Sequence, residues 1–219
     1  MQSSIHTVLV PAGAEYKAVK RGLRKVENAP QLVAIPAGPQ GLKAFLRGWQ
    51  APLRGEGLLL LGLGGSLSAD CGVGEAIALQ KVWSVASGEV FTCDAEMTER
   101  LARRLEIKTG VGVSCDRVIT SAAEKKQLGD RYSADVVDME GAVLLEALSV
   151  PMAIVRVISD DCAGDLPDIG DAIAPDGSLK PIQMTLAFAQ KPKAAIRLIG
   201  GSLTGLKELE QLAYRLFQP

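Results

Sequence analysis

The chain is poor in histidine, in paired cysteines, in excess charge and in long apolar runs, and each shortage removes a class of function. Only one histidine, His6, occurs in 219 residues. A Ser-His-Asp triad would have to use it, at the mouth of the first strand, and no G-x-S-x-G supplies the serine. Proton chemistry therefore falls to carboxylates. Cys71, Cys93, Cys115 and Cys162 are scattered without a C-x-x-C pair and read as buried small hydrophobes; with one histidine they make no zinc site, so no metal is expected. A net charge of −1 and a pI of 5.9 provide no basic footprint for nucleic acid or acidic membranes. No apolar run approaches the roughly 18 residues of a membrane span. The opening Met1–His6 carries neither a basic start nor an apolar signal core. A cytoplasmic protein with no membrane span and no nucleic-acid partner is expected.

What the chain does have is apolar substance, 47% of its residues, and no Ser/Gly/Pro-rich linker to divide it. One domain over 1–219 is expected. Short aliphatic runs alternate with helical patterns, which predicts an α/β fold whose sheet is covered on both faces. Strands are read at 7–10, 31–35, 57–61, 134–137 and 152–158, with further extended segments within 76–85 and 111–120. Helices are read at 15–26, 40–49, 95–105 and 142–148. Ser121-Ala122-Ala123-Glu124 has the form of a capping box and marks another helix start. From Cys162 to Gly177 the pattern becomes loop-like, punctuated by Gly164, Pro167, Gly170, Pro175 and Gly177. Helical stretches follow near 182–190, 193–199 and 203–216, the last with Leu206, Leu209, Leu212 and Leu216 at core-packing spacing.

Several motifs fail their tests. Gly62-Leu63-Gly64-Gly65-Ser66-Leu67 follows a strand, but Leu67 stands where a dinucleotide fingerprint needs glycine, and Ile77 does the same for the run begun by Gly72. No G-x-x-x-x-G-K-[ST] occurs. The first run reads as a tight glycine turn whose N–H groups, with Gly64 and Gly65 at its centre, approach an anion or a sugar. Lys17, Lys20, Arg21 and Arg24 share one helical face, read as a solvated surface that leaves phosphate binding open. Glu15, directly after Pro11-Ala12-Gly13-Ala14, is either an ordinary helix N-terminal acid or a base at a strand end.

The most informative segments are Val136-Val137-Asp138-Met139-Glu140-Gly141 and Arg156-Val157-Ile158-Ser159-Asp160-Asp161. Each is an apolar run ending in carboxylates, and ligands collect at the carboxyl ends of strands in α/β proteins. Together with the first strand and Glu15, the glycine run and Val73-Gly74-Glu75, they resemble the purine nucleoside phosphorylase and nucleosidase superfamily, especially its methylthioadenosine/adenosylhomocysteine nucleosidase branch. The pieces keep family order across about residues 7 to 161. Asp165-Leu166-Pro167 and Pro175-Asp176-Gly177 are similar to hopanoid-associated phosphorylases. Two departures stand out: Leu63 replaces a usual hydroxyl residue, and Arg117 to Ala123 lacks a base-stacking aromatic.

That resemblance implies a single α/β domain on a twisted mixed sheet flanked by helices, assembled as a homodimer or larger homo-oligomer. It implies cleavage of the N-glycosidic bond of a purine nucleoside, adenine foremost, by water or by phosphate as co-substrate, without a cofactor. Glu140 would bind the ribose hydroxyls, Met139 would pack on the sugar, and Arg156 would join the substrate-binding set. Asp160 would act on the base as an acid, supported by Ser159, with burial and the adjacent Asp161 keeping its proton in place. Glu15 would orient or deprotonate water. Two alternatives remain open: cleavage of an adenosylated lipid precursor, and a nucleoside-binding protein of this fold without turnover.

Overall fold

The computed structural model describes residues 5–51, 56–168 and 188–218. Among the described residues, eight strands form one mixed sheet: β1 (Ile5–Pro11), β2 (Gln31–Ile35), β3 (Gly57–Ser66), β4 (Ala76–Ser84), β5 (Val90–Thr92), β6 (Lys108–Ser114), β7 (Val136–Asp138) and β8 (Met152–Asp160). The helices are α1 (Ala14–Leu23), α2 (Pro39–Leu46), α3 (Ala95–Leu105), α4 (Ala122–Tyr132), α5 (Gly141–Ala147) and α6 (Pro192–Phe217). Strand order is β2-β1-β3-β7-β6-β4-β5, and β8 pairs with both β3 and β4. The strands β3, β8, β4, β6 and β7 thus close a ring around the middle of the molecule. Among the described residues, no helix is long and apolar enough to cross a membrane.

Both sheet faces are covered, and the two-residue period of a strand deals its apolar side chains alternately to two cores. Leu59 and Leu61 of β3 join Ala153, Val155 and Val157 of β8 against α1, α3 and α6. Leu58 and Leu60 join Met152, Ile154 and Ile158 on the opposite face, against α2 and α5. Continuous runs such as Leu58–Leu61 are what such doubly buried strands require. Asp94 caps α3 by accepting from Met97 N–H at 2.9 Å, and Ser121 caps α4 by accepting from Glu124 N–H at 3.5 Å. That accounts for the sharp helix starts predicted there.

Two expectations are corrected. The glycine run is not a turn: β3 continues through Ser66, pairing with β8 as far as Gly65, across a register shift after Gly64, and antiparallel to β7 at Gly65 and Ser66. Its glycines are needed for close approach. A Cβ on Gly62 would press on Arg156 and lie 2.6 Å from Glu15 Oε2, and one on Gly65 would lie 3.0 Å from Asp160 Oδ2. The extended segment expected within 111–120 is the end of β6, which stops at Ser114, and residues 115–121 lie outside any strand. The helices expected at 193–199 and 203–216 are one helix, running through Gly200-Gly201. Of the stretch 182–190 only 188–190 is described, and it is helical; Pro175-Asp176-Gly177 lies outside the described residues.

Mid-helix glycine costs about 1 kcal/mol relative to alanine, and Gly201 is retained where α6 crosses the end of β8. A Cβ there would collide with the Ser159 carbonyl oxygen, and one on Gly205 would come 2.8 Å from Leu63 Cδ2. Gly201→Ala should therefore lower the urea midpoint, by about 1–3 kcal/mol in stability, despite its gain in helix propensity. An unchanged or raised midpoint would show that α6 is free to shift away from β8.

Candidate functional site

The expected residues converge on one cavity of about 750 Å³. Its floor is the carboxyl ends of β1, β7 and β8 together with the glycine end of β3. Gly64, Gly65, Asp138, Met139, Glu140, Ser159, Asp160 and Glu15 all line it. Leu63, Arg117, Val118 and Ile119 complete one wall, while Ser202 and Leu206 of α6 close another. Where an aromatic is absent from the 117–123 stretch, aliphatic side chains present the apolar surface.

One end of the cavity is built on a guanidinium. Arg156 points from β8 toward the β7–α5 junction and is fully buried. Its Nε and Nη2 donate to Asp138 Oδ2 at 2.9 and 2.5 Å, and Nη2 also donates to Glu140 Oε2 at 2.9 Å. Arg156 does not line the cavity; the structure corrects it from a substrate contact to the group that holds the contacts in place. Among the described residues its Nη1 has no hydrogen-bond partner, and it faces the space over Gly62 that it shares with Glu15 Oε2.

Asp138 and Glu140 divide two tasks that the sequence left merged. Asp138 accepts from the Ser114 hydroxyl and from Gly141 N–H at 3.1 Å, so it closes the N-terminus of α5. Glu140 occupies the N-cap position without capping. Its Oε1 accepts from Gly38 N–H at 2.8 Å, which turns its carboxylate edge to the cavity. Gly38 adopts a left-handed φ of 80° at the β2–α2 junction, and a side chain there would crowd Met139 Cε at 3.0 Å.

Glu15 is placed by α1 but not spent on it. Its Oε2 accepts from Leu63 N–H at 2.6 Å. Burial pushes its carboxyl up from 4.5 to about 7, opposed by the Leu63 hydrogen bond and Arg156 and assisted by Glu140 and Asp138. Burial likewise raises Glu140, against the pull of Arg156. Burial works against the Arg156 charge, but Asp138, Glu140 and Glu15 overcome it and raise this group. Three acids around one cation leave this end of the cavity with a negative excess whenever Glu15 is ionised.

The other end is Asp160. A register shift between Gly64 and Gly65 skips Ser159 in the β3–β8 ladder, and such a bulge re-aims side chains at a strand end. Ser159 Oγ donates to Asp160 Oδ1 at 2.7 Å. The neighbouring Asp161 carboxylate is bonded to Arg197. The group beside Asp160 is instead Lys125 of α4, fully buried, whose ammonium donates to Asp160 Oδ2 and, at 2.9 Å, to the Asp161 carbonyl oxygen. Sequence reasoning missed Lys125, because it lies in a polar Glu-Lys-Lys helix start that reads as solvent-facing.

The remaining candidates fall away from the cavity. Lys20, Arg21 and Arg24 are exposed, and Arg21 is bonded to Glu210 of α6 at 2.7 Å. Burial pushes the Cys93 and Cys115 thiols up to about 12, which leaves them poor nucleophiles.

Similarity to known proteins agrees with this geometry. A family model described as the phosphorylase superfamily matches residues 54–176. A futalosine hydrolase from Thermus thermophilus is 31% identical over 161 residues, covering 68% of this chain and 70% of that protein. Two solved structures share the fold at 17% identity. One is the futalosine hydrolase of Helicobacter pylori, with a TM-score of 0.60 over 94% of this chain and 95% of that one. The other is a 5′-methylthioadenosine/S-adenosylhomocysteine nucleosidase from Neisseria meningitidis in complex with methylthio-immucillin-A, with a TM-score of 0.61 over 96% and 99%.

Between pH 4.5 and 7 native Glu15 keeps a proton that the unfolded chain has released. The native state then binds more protons, so stability falls as pH rises through that window. The Glu15 share of that fall is about 3 kcal/mol. Glu15→Gln should remove roughly one proton from the slope of unfolding free energy against pH, measured by urea titration. A slope identical to that of the parent would mean that Glu15 ionises as freely in the folded protein as in the unfolded one.

Proposed function

From the premise that the chain belongs to the phosphorylase superfamily and is an enzyme of N-glycosidic bond cleavage, we propose that it hydrolyses a purine nucleoside, adenine being the foremost base, and releases the free base. The observation that carries this reading is the meeting of Glu140 and Asp160 in one cavity of nucleoside size. Breaking the bond separates charge: the sugar becomes cation-like while the departing base gains electrons. The carboxylate end suits the sugar. Glu140 accepts from the ribose hydroxyls, Met139 packs on the ring, and the negative excess of Glu15, Asp138 and Glu140 around Arg156 favours the developing cation.

Glu15 takes the base role towards water. As the water oxygen bonds to the anomeric carbon, its proton passes to the Glu15 carboxylate and the bonding pair of the glycosidic link leaves with the purine. A group that titrates near 7 is matched to that task. Asp160, expected from the sequence to act as an acid, is paired with the Lys125 ammonium; as a carboxylate steadied by Ser159 it accepts a hydrogen bond from the base. The reading favours water over phosphate because the basic α1 face is exposed and Arg21 is already paired.

A second reading is favoured by one observation on α6. Ile196, Ile199 and Leu203 are 71%, 45% and 63% exposed, and with Leu206 they follow i, i+3, i+7, i+10 spacing along a single stripe. Leu206 lines the cavity, so the apolar stripe leads out of it. Such a path suits a nucleoside with a long apolar 5′ substituent, including an adenosylated lipid.

Incubation of a purine nucleoside panel, with free base quantified by chromatography, tests both readings. Base should appear in phosphate-free buffer together with free ribose or its 5′ derivative; an absolute requirement for phosphate would contradict the hydrolytic assignment. Asp160→Asn should lower kcat by about 10²-fold or more while nucleoside binding persists. Turnover equal to the parent would remove Asp160 from the chemistry.

A further inference from the structure

Lys125 is a costly residue for a structural purpose. A buried ammonium loses its hydration, and a pair formed in the interior seldom stabilises more than an apolar replacement would. Yet Lys125 is 0% exposed and Asp160 only 11%, and its ammonium donates to Asp160 Oδ2 and to the Asp161 carbonyl oxygen. Its neighbours on α4 are a weakly amphipathic set in which Lys125 is the one buried side chain. The helix thus directs a cation, rather than an apolar group, toward the strand end that faces the base.

Resting on the nucleosidase reading above, we infer that Lys125 is a positioning residue for the leaving base: it fixes the Asp160 carboxylate and cancels its charge. The argument is one of signs. At the sugar end a negative excess favours the forming cation. At the base end a bare carboxylate would oppose the electrons arriving on the purine. With Lys125 in place the base end carries one negative and one positive charge, so Asp160 accepts a hydrogen bond from the base without repelling the charge that develops there. Ser159 occupies Oδ1 from its own side at 2.7 Å, and Lys125 occupies Oδ2. The carboxylate is therefore held at both oxygens, with Gly65 leaving room beneath it. Lys125 acts through Asp160 and does not line the cavity.

The test compares Lys125→Met and Lys125→Arg on two ribosides: a purine nucleoside that the parent cleaves, and p-nitrophenyl riboside, whose leaving group carries negative charge without help. Lys125→Met should lower kcat for the purine nucleoside by about 10²-fold, with KM within about threefold and a loss of less than about fivefold for the nitrophenyl substrate. Lys125→Arg should regain most of the purine activity. Equal losses on both substrates, or no loss, would overturn the inference, since a residue that merely supports the fold has no reason to sort leaving groups. If the parent released base from no nucleoside, the proposed function would fail first. The Lys125 assignment is then read from equilibrium dialysis of free adenine, which the parent should hold about tenfold more tightly than Lys125→Met; equal affinity would overturn it independently.

Discussion

The arrangement depends on one buried cation. Arg156 takes a place on β8 whose neighbours at alternate positions, Ile154 and Ile158, belong to the hydrophobic core. A guanidinium is tolerated there because Asp138 and Glu140 meet it with three hydrogen bonds between 2.5 and 2.9 Å. The planar fork of arginine spans two carboxylates at once, which a lysine could not do. Removal of either side would strand uncompensated charge in the interior, at several kcal/mol. The ion cluster therefore locks β8 to the β7–α5 junction and fixes where the Glu140 carboxylate faces.

From that lock the polarity of the cavity follows. Glu15 lies over Gly62 beside the same guanidinium, so three acids surround one base, and burial limits the excess by raising Glu15 to about 7, which leaves it part-ionised at neutral pH. Three residues beyond Arg156 on β8, the bulge at Ser159 turns Asp160 to the opposite end, where Lys125 rather than arginine supplies the counter-charge. One end is poised to stabilise positive charge and the other is electrically balanced. A nucleoside laid between them experiences a field directed along its glycosidic bond, which is the direction in which charge moves when that bond breaks.

Much of this was legible in the sequence, for physical reasons. Leu58–Leu61 and Met152–Ile158 are doubly covered strands, the second apolar throughout except for Arg156, and such strands read as apolar runs. The carboxylates that end such runs, Asp138, Glu140 and Asp160, stood out because charge at a buried strand end demands an explanation. The errors have a common cause: glycine was read as a local signal when its role was tertiary. Gly62, Gly64 and Gly65 were taken for a turn, although they make room within a strand for Arg156, Val136 and Asp160. The stretches 193–199 and 203–216 read as separate helices, although Gly201 between them lets one helix press on Ser159. Lys125 was invisible because nothing local marks which lysine of Glu124-Lys125-Lys126 turns inward. The division of labour between Asp138, which closes a helix, and Glu140, which faces the cavity, also needed the Gly38 contact from a distant loop.

The most direct test of the central claim, that Glu140 and Asp160 grip opposite ends of one riboside, is a crystal structure with a purine nucleoside analogue whose glycosidic link cannot be cleaved. The account predicts ribose hydroxyls within about 3 Å of the Glu140 carboxylate and a base nitrogen at similar distance from Asp160. An analogue bound outside this cavity, or with its sugar toward Asp160, would contradict it.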